Sequence, residues 1–329
     1  MTNRFAAGIF FLLFLTSPAL AVDLDRPDVE VFIESMVRNH DYDREKLRDI
    51  LGEAEKKQSI LDAISRPAEK TKTWAEYRPI FITKERINAG ATFWRENRAA
   101  LEDIEQRTGV PIEILVGIIG VETYYGRITG GHRVVDALAT LAFFYPPRSK
   151  FFRSELEHFL LLIREEGMEA TAAFGSYAGA MGRPQFMPSS YRAYAVDSTG
   201  DGKRDIWNDW KDVAGSIANY FNAHGWRTGE EVAAQATISS RWSGPFPENI
   251  LKARETVGTL SDRGVMFSTM KGKEAAAQLI TLEGPDGNEH WVGFHNFFVI
   301  TRYNRSVMYA LAVYQLGQEI GLQVRGDAA

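Results

Sequence analysis

GIIGVETYYG, residues 117–126, carries a single acid at the end of a stretch that is otherwise apolar or small from Ile114 onward. The spacing predicts a helix, opened by Pro111 in its first turn, where a missing N–H is tolerated. On that helix Glu122 stands four residues after Ile118 and three after Ile119, so it shares their buried face. A glutamate there is costly to ionise, and desolvation pushes its pKa up. A carboxylic acid that keeps its proton near neutral pH is what a general acid requires. The same stretch also reads as a core glutamate paired with a cation such as Arg127. The rest of the chain decides between the two.

Upstream, from about Pro27 to Gly109, charged residues are spaced between apolar ones in a helical pattern. The runs are VEVFIESMVRNH, REKLRDILGEAEKKQSILDAIS and KERINAGATFWRENRAALEDIEQRTG. Asp43 is the predicted N-cap of the second run and Gly109 the stop of the third. Downstream, residues 136–167 read as two helices broken at Pro146–Pro147. GSYAGAMGRPQFMPSSYRAYA (175–195) is too rich in Gly, Ser and Pro for one long helix and reads as a loop with short extended pieces. DVAGSIANYFNAHGW (212–226) is helical again.

Between about Glu230 and Ile300 the texture changes. VAAQATISSRW and WVGFHNFFVITRYN carry β-branched and aromatic residues, and GPDGNEH supplies a turn between extended segments. SVMYALAVYQLGQEIG then returns to helical spacing. The expected fold is mainly α, of the α+β kind: a helical region over 22–229, a small β-rich domain over 230–300, and a C-terminal helix over 301–325 that returns to the core. No repeat or low-complexity linker separates these units, so they are expected to pack together.

The chain has 329 residues, 45% of them hydrophobic and 25% charged, which suits a globular protein of two or three structural units. A net charge of −5 without a long Lys/Arg run argues against nucleic acid as a partner. The absence of cysteine excludes disulfides, thiolate nucleophiles and Cys-ligated metals, and the six histidines form no HExxH spacing. At the start, Arg4, the apolar run Phe5–Leu15 and ALA at 19–21 read as a secretory signal peptide over residues 1–21. With no cysteine to acylate after the cleavage point, the mature protein is expected to be soluble and periplasmic.

A second chemical signal begins at Asp197, in DSTGDGKRDIWND. Side-chain oxygens fall at loop positions one, three, five and nine (Asp197, Thr199, Asp201, Asp205), with Gly202 at position six, where an EF-hand loop turns sharply. Lys203 at position seven would offer its backbone carbonyl. Position twelve is Asn208 and not the usual bidentate Glu; Asp212, at the start of the next helix, is the substitute if the loop is longer than standard. The ion expected here is a structural Ca2+.

Taken together, VGIIGVETYYGRITGGHRVVDALATLAFFYPPR, GSYAGAMGRPQFMPSSYRAYAVDSTGDGKRDIWND and GSIANYFNAHGW resemble the membrane-bound lytic murein transglycosylase B family; TWAEYRPIFIT and VITRYNRS extend the likeness. The resemblance implies a lysozyme-like catalytic core within 22–229, with residues 127–174 as a helical insertion. It implies peptidoglycan glycan strands as the substrate and no organic cofactor. It also implies Glu122 as the catalytic acid, Ser176 and Gln185 as substrate contacts beside the AGAMG turn, Tyr220 as the aromatic of the ANYF helix, and Tyr77, Asn304 and Tyr309 on cleft positions. The calcium ligands it implies are Asp197, Thr199, Asp201, the Lys203 carbonyl and Asp212, within an EF-hand-like loop over 197–212. The chain departs from the family at ETYYG and GRPQF, in one extra residue between Trp207 and Asp212, and in lacking a lipidation cysteine.

Most glycosidases use two carboxylates, yet no second acid lies in the motifs GSYAGAMGRPQFMPSSY, ANYF or RYN. The implied reaction needs only one, because the nucleophile is a hydroxyl of the substrate itself and closes a 1,6-anhydromuramoyl ring. The alternatives are hydrolysis in the manner of goose-type lysozymes and a non-catalytic wall-binding scaffold. A monomer is expected, with other cell-wall remodelling proteins as possible partners.

Overall fold

The computed structural model describes residues 20–65, 72–243 and 245–326; residues 1–19 of the expected leader lie outside them. The first helices are α1 (Pro27–His40), α2 (Arg44–Gly52) and α3 (Gln58–Ile64). Asp43 caps α2 as expected, accepting from the Lys46 amide at 2.7 Å. The second helical run is not continuous. Glu55–Lys56 (β2) leaves it to pair with Leu20–Ala21 (β1). The amides of Glu55 and Lys57 donate to Asp136 and Thr140, two buried side chains 2.9 and 3.0 Å away. Those acceptors take backbone donors that a helix would have used.

Next come α4 (Trp74–Phe81), α5 (Lys84–Glu96) and α6 (Arg98–Thr108), followed by α7 (Ile112–Thr123). The third run is divided at Asn97, whose side chain bonds back to the Phe93 carbonyl at 2.9 Å. Gly109 ends α6 in the left-handed region, φ +70°, as its sequence position suggests. Pro111 stands just outside α7 as its N-cap.

A short pair, β3 (His132–Arg133) with β4 (Phe174–Gly175), brackets α8 (Val134–Phe144) and α9 (Ser149–Glu166). The break between these two helices is a 3-10 turn over Pro146–Arg148, at the expected prolines. The segment 175–195 is a loop with isolated bridges, Gly175 to Met181 and Met181 to Phe186. Its end, however, forms the helix α10 (Pro188–Tyr194), nucleated by a proline at the first position. Then follows α11 (Trp210–Ala223).

The β-rich region supplies β5 (Ala233–Ile238), β6 (Glu255–Thr256), β7 (Val265–Phe267), β8 (Ala276–Gly284) and β9 (Gly287–Gly293) in an antiparallel sheet of order β6-β8-β9-β5-β7. It also contains α12 (Val257–Asp262). The expectation of an extended WVGFHNFFVITRYN is corrected: the strand stops at Gly293 and α13 (His295–Tyr303) follows. Asn296 explains the change. It is fully buried and exchanges hydrogen bonds with the backbone of Arg227, at 2.9 and 2.8 Å, an arrangement that a ladder position could not offer. Tertiary packing thus overrides β-propensity.

The last helix, α14 (Val307–Gly326), lies against α7. The two backbones approach closely through glycine. A Cβ on Gly117 would sit 2.4 Å from the Val313 carbonyl oxygen, and one on Gly317 would sit 2.0 Å from that of Glu113. α7 is buried at every position from Ile114 to Val121 and forms the axis of the main core.

Candidate active site

The buried run of α7 ends at Glu122, which is half-buried. Tyr124, Tyr125 and Gly126 follow with φ of +50°, +58° and +81°, so the chain turns sharply away and the carboxylate comes to the core's edge. Two successive non-glycine residues in the left-handed region are costly, of order 1 kcal/mol each. Several contacts hold them. The Tyr124 and Tyr125 amides bond the Gly120 and Ile119 carbonyls, the Arg86 guanidinium donates to the Gly120 carbonyl at 2.6 Å, and Tyr125 stacks on Phe93 at 5.4 Å. The expectation that Glu122 is enclosed on the apolar face is corrected, because the helix ends one residue after it. Arg127 is exposed, its guanidinium 4.8 Å from the centre of the Tyr124 ring, so it is not a core cation.

The close packing of α7 on α14 brings Tyr309 to Glu122. The Tyr309 hydroxyl donates to Glu122 Oε1 at 2.5 Å. Burial, and then the charge of Glu122, push the Tyr309 hydroxyl well above its ordinary pKa, so it stays a donor. Tyr303 stacks nearly parallel to Tyr309, with ring centres 6.5 Å apart, and its hydroxyl is raised by the same two causes. The charge of Glu122 thus acts on both hydroxyls.

Tyr303 also ties the site together. Its hydroxyl donates to the Pro184 carbonyl at 2.7 Å, beside Gln185. Thr123, next to Glu122, donates to the Arg183 carbonyl at 3.1 Å and accepts from the Gly126 amide at 3.1 Å. The loop 182–186 is therefore fixed to both α7 and α13. Neither Tyr303 nor Thr123 was singled out from the sequence. The only signal for Tyr303 is its place in RYN, beside Asn304, and nothing local marks Thr123.

The other expected residues fall into distinct positions. Gln185, at φ +53°, donates both amide hydrogens inward, to Thr129 and Gly182 carbonyls at 3.0 and 2.8 Å, which leaves Oε1 as its outward acceptor. The Ser176 hydroxyl accepts from the Ala178 and Ala180 amides at 3.2 and 3.1 Å, so its own O–H is left to donate. Asn304 ends α13. Tyr220 is buried in an aromatic cluster, 4.9 Å from Tyr303 and 4.1 Å from His224, and its hydroxyl donates to the Arg302 carbonyl at 2.6 Å. Burial pushes that hydroxyl up to about 12. Tyr220 thus acts as a wall with its polar end already engaged. Tyr77 is buried as well, packed between Trp74 and Phe81, and is near enough to Tyr309 to raise the latter's pKa.

A half-buried carboxylate hydrogen-bonded by a tyrosine thus stands on a mostly helical frame. The Transglycosylase SLT domain matches residues 25–318, nearly the whole described chain. The chain belongs to the SLT transglycosylase family. It is 43% identical over 307 residues to the membrane-bound lytic murein transglycosylase B of Escherichia coli (strain K12), covering 91% of this chain and 84% of the relative. The E. coli lytic transglycosylase Slt35, solved in complex with calcium, superposes with a TM-score of 0.85 at 42% identity, covering 93% of this chain and 97% of that one. SltB3 from Pseudomonas aeruginosa, solved in complex with NAG-NAM-pentapeptide, gives a TM-score of 0.80 at 28% identity, covering 89% and 78%. The expected fold class, mostly helical with a lysozyme-like core and a small sheet, is the one observed. No helix among the described residues is long and apolar enough to cross a membrane.

In this transglycosylase the loop 197–212 is wound around its first and last acids. Asp197 accepts from the Gly200 and Gly202 amides at 2.6 and 2.7 Å, and these bonds hold its carboxyl below the ordinary carboxylate range. Asp201 accepts from the Lys203 amide at 2.9 Å. Asp212 is buried under the loop and accepts from the amides of Ser198, Thr199 and Asp205, at 2.8, 3.2 and 2.9 Å. Burial raises its pKa, and among the described residues it forms no ion pair. Asp205 serves the turn, accepting from the Trp207 and Asn208 amides at 2.9 and 2.8 Å. No three acid or imidazole side chains converge into a ready cage among the described residues. The donor set still fits calcium. Oxygen ligands lie on one turn, and a carboxylate with about four lone-pair sites keeps one after three amide bonds.

Proposed function

We propose that this SLT-family enzyme cleaves the β-1,4 bond between N-acetylmuramic acid and N-acetylglucosamine in peptidoglycan and leaves a 1,6-anhydromuramoyl end. The observation that carries this reading is Glu122 at the rim of the buried helix α7, its carboxylate accepting from the Tyr309 hydroxyl. With Tyr309 donating to Oε1, the catalytic proton is carried on Oε2. Glu122 gives it to the glycosidic oxygen as the bond breaks. The muramoyl N-acetyl group supports the positive charge at C1. The Glu122 carboxylate then removes the proton from the same sugar's 6-hydroxyl as that oxygen closes on C1. Proximity replaces a positioned water. The Ser176 O–H and the Gln185 Oε1 are matched to an N-acetyl C=O and N–H, Asn304 supplies an amide at the end of α13, and Tyr77 and Tyr220 back the site from the buried side. The sheet joins the helical core through Ile280 and Leu282, and α14 lies against α7. With the leader-like start of the chain and a substrate that lies outside the cytoplasmic membrane, we place the enzyme in the periplasm, working as a monomer. Mass spectrometry of products from purified sacculi tests the reading: anhydro-muropeptides are expected, and hydrated ends or no products would reject it.

Removing the hydroxyl that steadies Glu122 has a calculable sign. Tyr309 hydrogen-bonds the ionised form, so its loss disfavours that form and raises the Glu122 pKa. Activity needs the protonated acid in its first step, so in Tyr309→Phe the alkaline limb of the kcat/KM profile should move to higher pH. The turnover rate should fall by about tenfold, the lower end for a hydrogen bond to a charged group. An unmoved limb would mean that Tyr309 does not tune the acid.

We further propose that calcium binds the loop through Asp197, Thr199, Asp201, the Lys203 carbonyl and Asp212, and supplies positive charge that stabilises the fold. The buried charge of Asp212 is the main beneficiary, since desolvation opposes it. A ligand that binds only the folded state adds about 2.7 kcal/mol at 100 times Kd. The melting temperature should rise with calcium and fall with a chelator, and Asp201→Ala should blunt the response. A melting curve indifferent to verified metal removal and calcium addition would defeat the assignment.

A further inference from the structure

Arg86 is placed against the electrostatics of its own helix. It is the third residue of α5, and Thr83, the N-cap, accepts from its amide at 3.1 Å. A cation in a first turn faces the positive end of the helix dipole. Burial opposes the charge further, since the side chain is half-buried and forms no ion pair among the described residues. Such a position needs a use elsewhere.

That use lies at the end of α7. The guanidinium donates at 2.6 Å to the Gly120 carbonyl, which belongs to the last turn of that helix, where a cation is favoured. The same carbonyl accepts from the Tyr124 amide at 3.2 Å, the bond that closes the left-handed turn. The Tyr124 ring centre lies 4.5 Å from the Arg86 guanidinium carbon. One turn along α5, Gly90 makes room for the next residue of the turn. A Cβ there would stand 2.4 Å from the Tyr125 hydroxyl oxygen, and one on Gly120 would stand 2.5 Å from it. That hydroxyl is buried without a hydrogen-bond partner, so shape and not polar bonding holds the ring. One face of α5 thus grips both tyrosines that adopt a conformation L residues avoid.

We propose that Arg86 is a positioning residue for the acid: it holds Tyr124 in the left-handed region, ends α7 at Thr123, and so fixes where the Glu122 carboxylate stands. It acts through the backbone of the turn and not on the reacting atoms. This rests on Glu122 being the acid, as read above. Without the clamp Tyr124 relaxes toward the right-handed region that L residues prefer, and the carboxylate two residues before it moves as well. An ångström of misplacement can cost about 10²-fold in rate. The loss should fall on kcat and not on KM, because Ser176 and Gln185 sit on the loop 175–186 and not on the turn.

The test is steady-state kinetics on soluble glycan strands, at a temperature well below each variant's melting midpoint. Arg86→Met keeps the apolar stem and removes the charge and the donors. It should lower kcat at least about tenfold and leave KM within about twofold. Adding Tyr124→Asn, a residue that enters the left-handed region readily, should raise kcat again by at least about threefold, although it removes a ring. A packing role alone gives the opposite result, since the second substitution deletes further contacts. If Arg86→Met does not fold, Arg86→Lys supplies the same comparison, with a smaller loss in kcat that Tyr124→Asn again relieves. An unchanged kcat, a rise in KM alone, or a loss that Tyr124→Asn fails to relieve would overturn the proposal. Glu122→Gln is assayed in parallel. Normal turnover there defeats the acid assignment itself; if it is inactive, a failure belongs to Arg86 alone.

Discussion

Glu122→Gln should lower turnover of peptidoglycan by at least ~10²-fold, the low end of what general acid catalysis contributes. The amide preserves the shape at the end of α7 and can still accept from the Tyr309 hydroxyl that now lies 2.5 Å from Oε1. It cannot deliver a proton to a leaving oxygen or take one from the 6-hydroxyl. Glu122 is half-buried at a helix end and not enclosed in the core, so the substitution should shift the melting temperature by no more than a few degrees. Turnover with purified sacculi and a melting curve on the same preparation separate the two effects. Near-normal turnover would mean that another group is the acid, and lost folding would mean that Glu122 is a structural residue.

Gly317→Val should be among the most destabilising single changes available in the chain. A Cβ there would stand 2.0 Å from the Glu113 carbonyl oxygen, a backbone atom that cannot rotate away. Overpacking commonly costs 1–3 kcal/mol and sometimes more, and here about 3 kcal/mol is expected because two helices must separate. The same separation moves Tyr309 on α14 away from Glu122 on α7, so residual activity should fall with stability. Gly131→Ala is the control: nothing lies within 4 Å of its Cβ position, and it should be tolerated within about 0.5 kcal/mol. Thermal unfolding of both variants checks the contrast. A mild Gly317→Val would show that α7 and α14 are not held at this distance by their glycines.

The elements with strong local signals were legible in the sequence. α7 announces itself by its apolar run, α2 by its Asp43 cap, α6 by the glycine that ends it, and the α8–α9 break by its two prolines. What escaped depends on partners far along the chain. The break after α2 answers to Asp136 and Thr140, and α13 replaces a strand because Asn296 reaches Arg227. The site divides in the same way. Glu122 can be found from its own neighbours, since a lone acid at the end of a buried helix has few structural uses. Its bond to Tyr309 spans 187 residues, and only the packing of α7 on α14 creates it. Tyr303 and Thr123, which fasten the loop 182–186, bond to backbone carbonyls, and a carbonyl leaves no trace in a sequence. The oxygen-rich composition of the loop 197–212 was legible by residue type. That Asp212 is buried under the loop and Asp205 serves the turn was not.

One carboxylate and no water as reactant is the core of this account, and isotope labelling reads it directly. Sacculi are digested in ¹⁸O-water and the early products weighed without borohydride reduction, beside a lysozyme control that reports slow exchange at ordinary reducing ends. Intramolecular closure predicts unlabelled 1,6-anhydromuramoyl ends, lighter by one water than the hydrolytic product. Labelled reducing ends dominating at early times would contradict it and would require a second group that activates water.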